Sequence, residues 1–261
     1  MCIIYLSIAK DPAWPLYIAA NRDEFHNRPA LPAAPWDANP DIFSGLDQSG
    51  GGTWLGINRN GRFAMLTNYR DPSAFNPQAP TRGMLVSDFL ESDRSASDYA
   101  QDIWKTGDAY NGFNLIVGDA SGVYYTGNRQ EAPPVTLGRG SYILSNHLLD
   151  TPWPKAERLR NALDALSPGR SVDAMDNVFS LLHDTTPAPD DALPATGLPL
   201  ERERLLSSPF IISDNYGTRC SSIIAVDSSG DATFSELTYA TDGSEAGRRD
   251  WTFSMLATYR F

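Results

Sequence analysis

The chain has 261 residues, 41% of them apolar and 20% charged, which suits a globular fold with a sizeable core. Its formal charge is −11 and its pI near 4.6, so its surface repels phosphate backbones and anionic lipid, and nucleic acid is a poor candidate partner. No apolar run is long enough for a transmembrane segment, and no basic leader precedes an apolar stretch, so a cytoplasmic location is the default expectation.

The first 21 residues read as a β-hairpin. "CIIYLSIA" and "LYIAAN" are apolar strands joined by the turn chemistry of "KDPAWP". The Pro- and Gly-rich segment 26–52, "HNRPALPAAPWDANPDIFSGLDQSGGG", has no period and reads as a long structured loop. Two strands then flank Asn60-Gly61, a strong hairpin signal. "FNLIVGDASGVYYTGN" and "SSIIAVDSSGDATFSEL" repeat the strand–turn–strand pattern. "GSYILSNHLL" adds a strand, and "WTFSMLATYRF" is expected to close a sheet as the C-terminal strand.

Helices are expected between the hairpins, the first over 84–91. In 95–105, Ala96, Tyr99, Ala100 and Ile103 share a face behind a cap-like Ser95/Asp98 pair. In 153–166, Ala156, Leu159 and Leu163 line up and Pro154 suits a first helical turn. In 171–184, Met175, Val178, Phe179 and Leu182 form one stripe, with Ser171 as N-cap. Residues 185–205 read as irregular. Hairpins imply antiparallel pairing, and wholly apolar strands imply sheets covered on both faces. A four-layer α/β/β/α sandwich of two antiparallel sheets, an α+β fold in one domain over 1–261, meets both demands.

Two cysteines, Cys2 and Cys220, are too few for a disulfide framework or a thiolate zinc site, and a reducing compartment disfavours a bridge between them. The three histidines fall in no metal-ligand pattern, so no metal is expected. Cys2 is the sharper case. Once Met1 is removed, residue 2 carries a thiol of reference pKa about 8.5 and an α-amine of about 7.7–8.0. Such an amine can serve as general base for its own side chain. A small buried residue that happens to fall second explains Cys2 equally simply.

"NRDE" at 21–24 ends the second strand. The hairpin turn sets position 2 opposite roughly 22–23, where Asp23 would orient the amine and Arg22 would lower the thiol pKa. A solvated strand end is the ordinary alternative. Asn68 and Asn146 close the strands of "MLTNYR" and "ILSNHL"; both suit donors to an oxyanion, or plain turn chemistry. Arg219, in "YGTRCSS", suits an anionic substrate group, whereas Cys220 suits the core. Asn21, His26, His147 and Trp54 complete the candidates for substrate contact.

These segments occur in one order with "GGTWLG", "LTNYRDP", "LVSDFL", "YNGFNLIVGD" and "LSNHLLDTPWPKAERLR". Together they resemble the NRDE family, which includes the transport and Golgi organisation proteins. That family is similar to N-terminal-nucleophile hydrolases, the branch of bile-salt hydrolases and penicillin V acylase. The resemblance implies Cys2 as nucleophile, Asp23 as its support, Asn68 and Asn146 as oxyanion donors and Arg219 as a late arginine. The branch usually places an Arg before Asn-x-Asp; the order Ala20-Asn21-Arg22-Asp23 puts Arg22 on the other face of a regular strand. The resemblance also implies links to lipid, acyl-coenzyme A and haem metabolism. Two functions follow as expectations. One is an amidohydrolase or acyltransferase acting on an amide or acyl thioester with no required cofactor. The other is a non-catalytic carrier of haem, acyl-coenzyme A or lipid. A non-catalytic acidic interaction protein is a third.

Overall fold

The computed structural model describes residues 2–259 and 261. Among them a six-stranded and a seven-stranded antiparallel sheet pack face to face. The first sheet has the order β10-β1-β2-β11-β12-β13, from Gly140–Leu144, Cys2–Asp11, Trp14–Phe25, Tyr216–Val226, Asp231–Tyr239 and Glu245–Ser254. The second runs β3-β4-β5-β6-β7-β8-β9, from Ala30–Pro35, Ile42–Asp47, Leu55–Asn58, Phe63–Asn68, Phe113–Asp119, Gly122–Gly127 and Val135–Leu137.

Alternation along the strands divides the core. Ile4, Leu6 and Ile8 of β1, with Leu16, Ile18 and Ala20 of β2, point inward to the other sheet. Their neighbours Ile3, Tyr5, Tyr17 and Ala19 point outward onto α3 (Pro154–Asp164) and α4 (Val172–Leu182). The outer face of the second sheet carries α1 (Met84–Glu91) and α2 (Ala96–Thr106) through Phe89, Tyr99 and Leu115. The expected four-layer sandwich is therefore the fold. The caps also form: Ser95 accepts from the Asp98 N–H and Ser171 from the Ala174 N–H.

Three expectations need correction. The segment 26–52 is not simply a loop, because it contains β3 and β4. Its prolines are tolerated because β3 is an edge strand whose pairing with β4 shifts between Leu31 and Ala34. The last strand is β13, ending at Ser254, and residues 255–259 leave the sheet; Met255 and Tyr259 instead pack against the inter-sheet core. The stretch 185–205 ends in a short helix, α5 (Leu200–Leu205). No helix among the described residues is long and apolar enough to cross a membrane.

Candidate active site

The first hairpin sets the site. Cys2 lies directly opposite Arg22, within the expected 22–23, after a shift of register between Ile8 and Asp11, and Arg22 lies opposite Cys220 on its other side. Residues that face each other across a ladder share a face, so Cys2, Arg22 and Cys220 all point inward. This corrects the expectation for Arg22: position 22 has the parity of Ala20 and Ile18, and its side chain joins the Cys2 side of the sheet. Both cysteines are free. Two strand spacings separate them, about 10 Å, which is beyond disulfide range.

A polar cavity of about 290 Å³ opens at this strand end, lined by Cys2, Arg22, Asp23, Trp54, Asn68 and Arg82, among others. A second cavity, of about 280 Å³, lies beside it and shares Arg22, Thr53 and Trp54. It contains Arg219, Cys220 and Glu236. Trp54 thus forms part of both walls.

Asp23 points to the helix side, as does its neighbour Asn21. Asp23 is 1% exposed, and its Oδ1 accepts from the Thr218 hydroxyl at 2.7 Å. Thr218 in turn accepts from the Ile211 N–H at 2.9 Å, which fixes the hydroxyl. Burial pushes the Asp23 carboxyl above its ordinary range, opposed by Lys155, the Thr218 hydrogen bond and Arg22. Burial likewise pushes the Cys2 thiol up, Asp23 adds to this, and Arg22 opposes it. The resting thiol is therefore protonated near neutrality.

The two asparagines meet. Asn146 Nδ2 donates to the Asn68 carbonyl at 3.0 Å, and Ser145 Oγ donates to the Cys2 carbonyl at 3.3 Å. The Arg70 N–H donates to the Asn146 carbonyl at 2.7 Å. Asn68 lines the cavity, whereas Asn146 lies behind it and holds the end of β6 against the segment after β10.

Other expected residues lie elsewhere. Asn21 Nδ2 donates to the carbonyls of Leu182 and Pro209, and Oδ1 accepts from Ser221, so its amide ties β2 to the helix layer. His26 Nε2 sits 2.9 Å from the Ser213 carbonyl and lines neither cavity. His147 lies between Tyr69, 2.8 Å away, and Thr151, 3.0 Å away, also outside both cavities. Arg219 occupies a bulge between Thr218 and Cys220. Its guanidinium donates to the carbonyls of Phe25, His26 and Arg28, and it faces the second cavity rather than that of Cys2.

The structure adds residues to which the sequence reading gave no role. Arg82 lines the Cys2 cavity and spends one N–H on the Gly112 carbonyl at 2.9 Å. Behind Asp23, Arg70 and Glu203 form a buried ion pair at 2.7 Å, near the buried Lys155. Glu236 is buried in the second cavity, accepting from Ala33 N–H at 2.7 Å and Ser222 Oγ at 3.0 Å. Among the described residues no cluster of three or more His, Cys, Asp or Glu could hold a metal ion.

The fold and site define an α/β/β/α sandwich with a cysteine at the head of a central strand, opening on a polar cavity. The chain belongs to the Transport and Golgi organisation 2 family, whose family model matches residues 1–241. It is 41% identical over 255 residues to the Transport and Golgi organization protein 2 homolog of Bos taurus, covering 90% of this chain and 92% of that one. The Homo sapiens homolog is 38% identical over the same shares, and the Drosophila melanogaster protein 29% identical over 91% and 92%. Among solved structures, a Caenorhabditis elegans N-acylethanolamine-hydrolyzing acid amidase ortholog aligns with a TM-score of 0.44 at 11% identity, covering 86% of this chain and 92% of that one. A C2A mutant of the Clostridium perfringens conjugated bile acid hydrolase aligns with a TM-score of 0.41 at 9% identity, over 100% and 99%.

Proposed function

We propose that this protein is an N-terminal cysteine amidohydrolase or acyltransferase. The observation that carries the proposal is the pairing of Cys2 with Arg22 at a polar cavity that Asp23 and Asn68 also line. After loss of Met1, the Cys2 sulfur attacks the acyl carbonyl of an amide or thioester and its proton passes to the Cys2 α-amine. Asp23 holds that amine. The carbonyl oxygen gains the negative charge, which donors at Asn68 stabilise, with Asn146 positioning that strand end. The bond to the leaving group breaks, the α-ammonium returns its proton to the leaving nitrogen or sulfur, and a Cys2 thioester remains. Water, or an acceptor amine, attacks the thioester and releases the acid or the new amide with the thiol restored. A protonated resting thiol is the starting state such a relay requires. No cofactor takes part, and the cytoplasm keeps both thiols reduced.

Intact-mass measurement of the purified chain tests the proposal together with an acylating probe. Loss of Met1 and acylation at Cys2, abolished by Cys2→Ala, are expected. Retention of Met1 in the native protein would sink the mechanism.

A second reading, a carrier for an anionic ligand such as haem or acyl-coenzyme A, draws on the three arginines of the Cys2 cavity, Arg22, Arg28 and Arg82. Titration with hemin and with an acyl-coenzyme A separates the two. Saturable binding that survives Cys2→Ala, without turnover of amide or thioester, selects the carrier.

A further inference from the structure

Between β6 and α1 the chain makes an excursion over residues 69–83, and burial does nothing to hold its middle. No residue from Asp71 to Pro80 is buried. Phe75, the largest side chain of that stretch, is 65% exposed. Yet the segment supplies Phe75, Asn76, Pro77, Ala79, Pro80 and Thr81 to the wall of the Cys2 cavity. A stretch that buries so little apolar surface depends on polar contacts for its place, and its local stability is low.

Those contacts converge on Asn111-Gly112, in the bend before β7. The Gly112 carbonyl accepts from the Tyr69 N–H at 2.9 Å where the segment begins, and from Arg82 Nη1 at 2.9 Å where it ends. The Asn111 side chain grips the middle. Its Nδ2 donates to the Asn76 carbonyl at 2.8 Å, and its Oδ1 accepts from the Asn76 N–H at 2.7 Å. An amide that meets both the N–H and the C=O of one residue reproduces the paired bonds of an antiparallel ladder. The far end of the segment is fixed separately. The Thr53 N–H donates to the Gly83 carbonyl at 3.2 Å, and a Cβ on Gly52 would fall 2.5 Å from the Gly83 carbonyl carbon. The other polar contacts of 71–80 are internal, such as Ser73 Oγ to Asp71 and the Gln78 N–H to Asn76 Oδ1, or weak, as is the long ion pair of Asp71 with Arg129 at 3.7 Å.

We propose that residues 71–80 form a lid on the Cys2 cavity, and that Asn111 is the positioning residue that latches it. Opening breaks the two Asn111 bonds and the long ion pair, and leaves both ends of the segment tied. An open lid admits occupants too large for the closed cavity of about 290 Å³. The inference concerns access to the Cys2 thiol, and it stands whether that thiol is a nucleophile or lines a carrier's pocket.

Asn111→Asp is the test. It keeps the size of the side chain and the acceptor for the Asn76 N–H, but it turns a second oxygen toward the Asn76 carbonyl. Wild type and variant are labelled with iodoacetamide and with a bulky fluorescein maleimide, and peptide mass spectrometry reads Cys2 and Cys220 separately. Cys220 lies in the second cavity, which no residue of the lid lines, and serves as the internal control. The maleimide rate at Cys2 should rise at least about fivefold, the worth of one hydrogen bond, while the iodoacetamide rate changes by less than about twofold and Cys220 is unaffected. An unchanged maleimide rate at Cys2 overturns the proposal. So does an equal rise at both cysteines, which a general loosening of the fold would give. Should Asn111→Asp fail to fold, hydrogen exchange of the wild type decides. Exchange of the Asn76 N–H that ignores low urea supports opening without the core, and exchange that tracks global unfolding overturns the lid. Intact mass on the same samples reports Met1 removal, so failure of the enzymatic proposal is read separately.

Discussion

The Arg70–Glu203 pair offers the sharpest test of the buried charge layer. Both side chains are 4% exposed, and Nη1 donates to Oε2 at 2.7 Å. Arg70 Nε and Nη2 have no hydrogen-bond partner among the described residues, and the guanidinium stacks over Trp153, 4.7 Å from the ring centre. Glu203→Ala removes the one carboxylate that compensates this cation directly. It also strips Thr196 of its acceptor. Stranding a buried charge costs about 3–5 kcal/mol, and the hydrogen bond to the carboxylate, at the low end for a charged acceptor, adds about 1 kcal/mol, a total of about 4–6 kcal/mol. With an unfolding entropy of about 2.1 cal/mol/K per residue, this lowers Tm by about 7–11 °C. Scanning calorimetry reads the shift. Glu203→Gln keeps an acceptor and should lose less, and Arg70→Met with Glu203→Leu should recover most of the loss. A Glu203→Ala change below about 1 kcal/mol, the value of an exposed pair, would refute the reasoning.

Gly118 lies opposite Phe63, and a Cβ there would fall 2.3 Å from the Phe63 ring. Phe63 is fully buried, so Gly118→Ala should cost about 1–3 kcal/mol in urea unfolding, with a neutral result showing that the ring can move. Burial penalises the Asp164 charge, but Lys10, Tyr5 and Ser141 outweigh it and hold the carboxyl below its ordinary 3.8. Its stabilising effect is complete above that value and fades as pH falls through the folded pKa, so Asp164→Asn should flatten the acid limb of stability against pH. Lys155 has the opposite sense: from about 8 to 10.5 the unfolded chain binds the extra proton, so stability rises with pH across that window by about 3 kcal/mol. The rise should vanish in Lys155→Met; a parallel curve would show that the ammonium is not depressed.

Much of this architecture is legible without coordinates. A tight turn over residues 12–13 brings Cys2 to the end of the second strand, but the turn alone would set it opposite Asp23; a shift of register between Ile8 and Asp11, which nothing in the sequence marks, moves it opposite Arg22. The stripes of α2 to α4 announce themselves through spacing and capping residues. Prolines hide β3, because their cost disappears at a sheet edge that nothing marks in one dimension. Arg22 was legible in principle: counting parity from Ile18 and Ala20 assigns it to the inner face. Lys155, Arg70 and Glu203 were not, since each sits in a helix or an irregular segment where a charge normally meets water. Only the packing of α3 and α5 on the strand ends encloses them. His26 and His147 suggested a site by proximity in sequence, yet each is turned to local backbone and hydroxyl partners.

The order of the first sheet carries a consequence for biogenesis. β1 and β2 are made first, but the strands that flank them, β10 and β11, begin at Gly140 and Tyr216. On the ribosome the leading hairpin must wait, both flanks unzipped, until more than half of the polypeptide has emerged. Until then β1 and β2 present unpaired backbone edges, which the later strands cover.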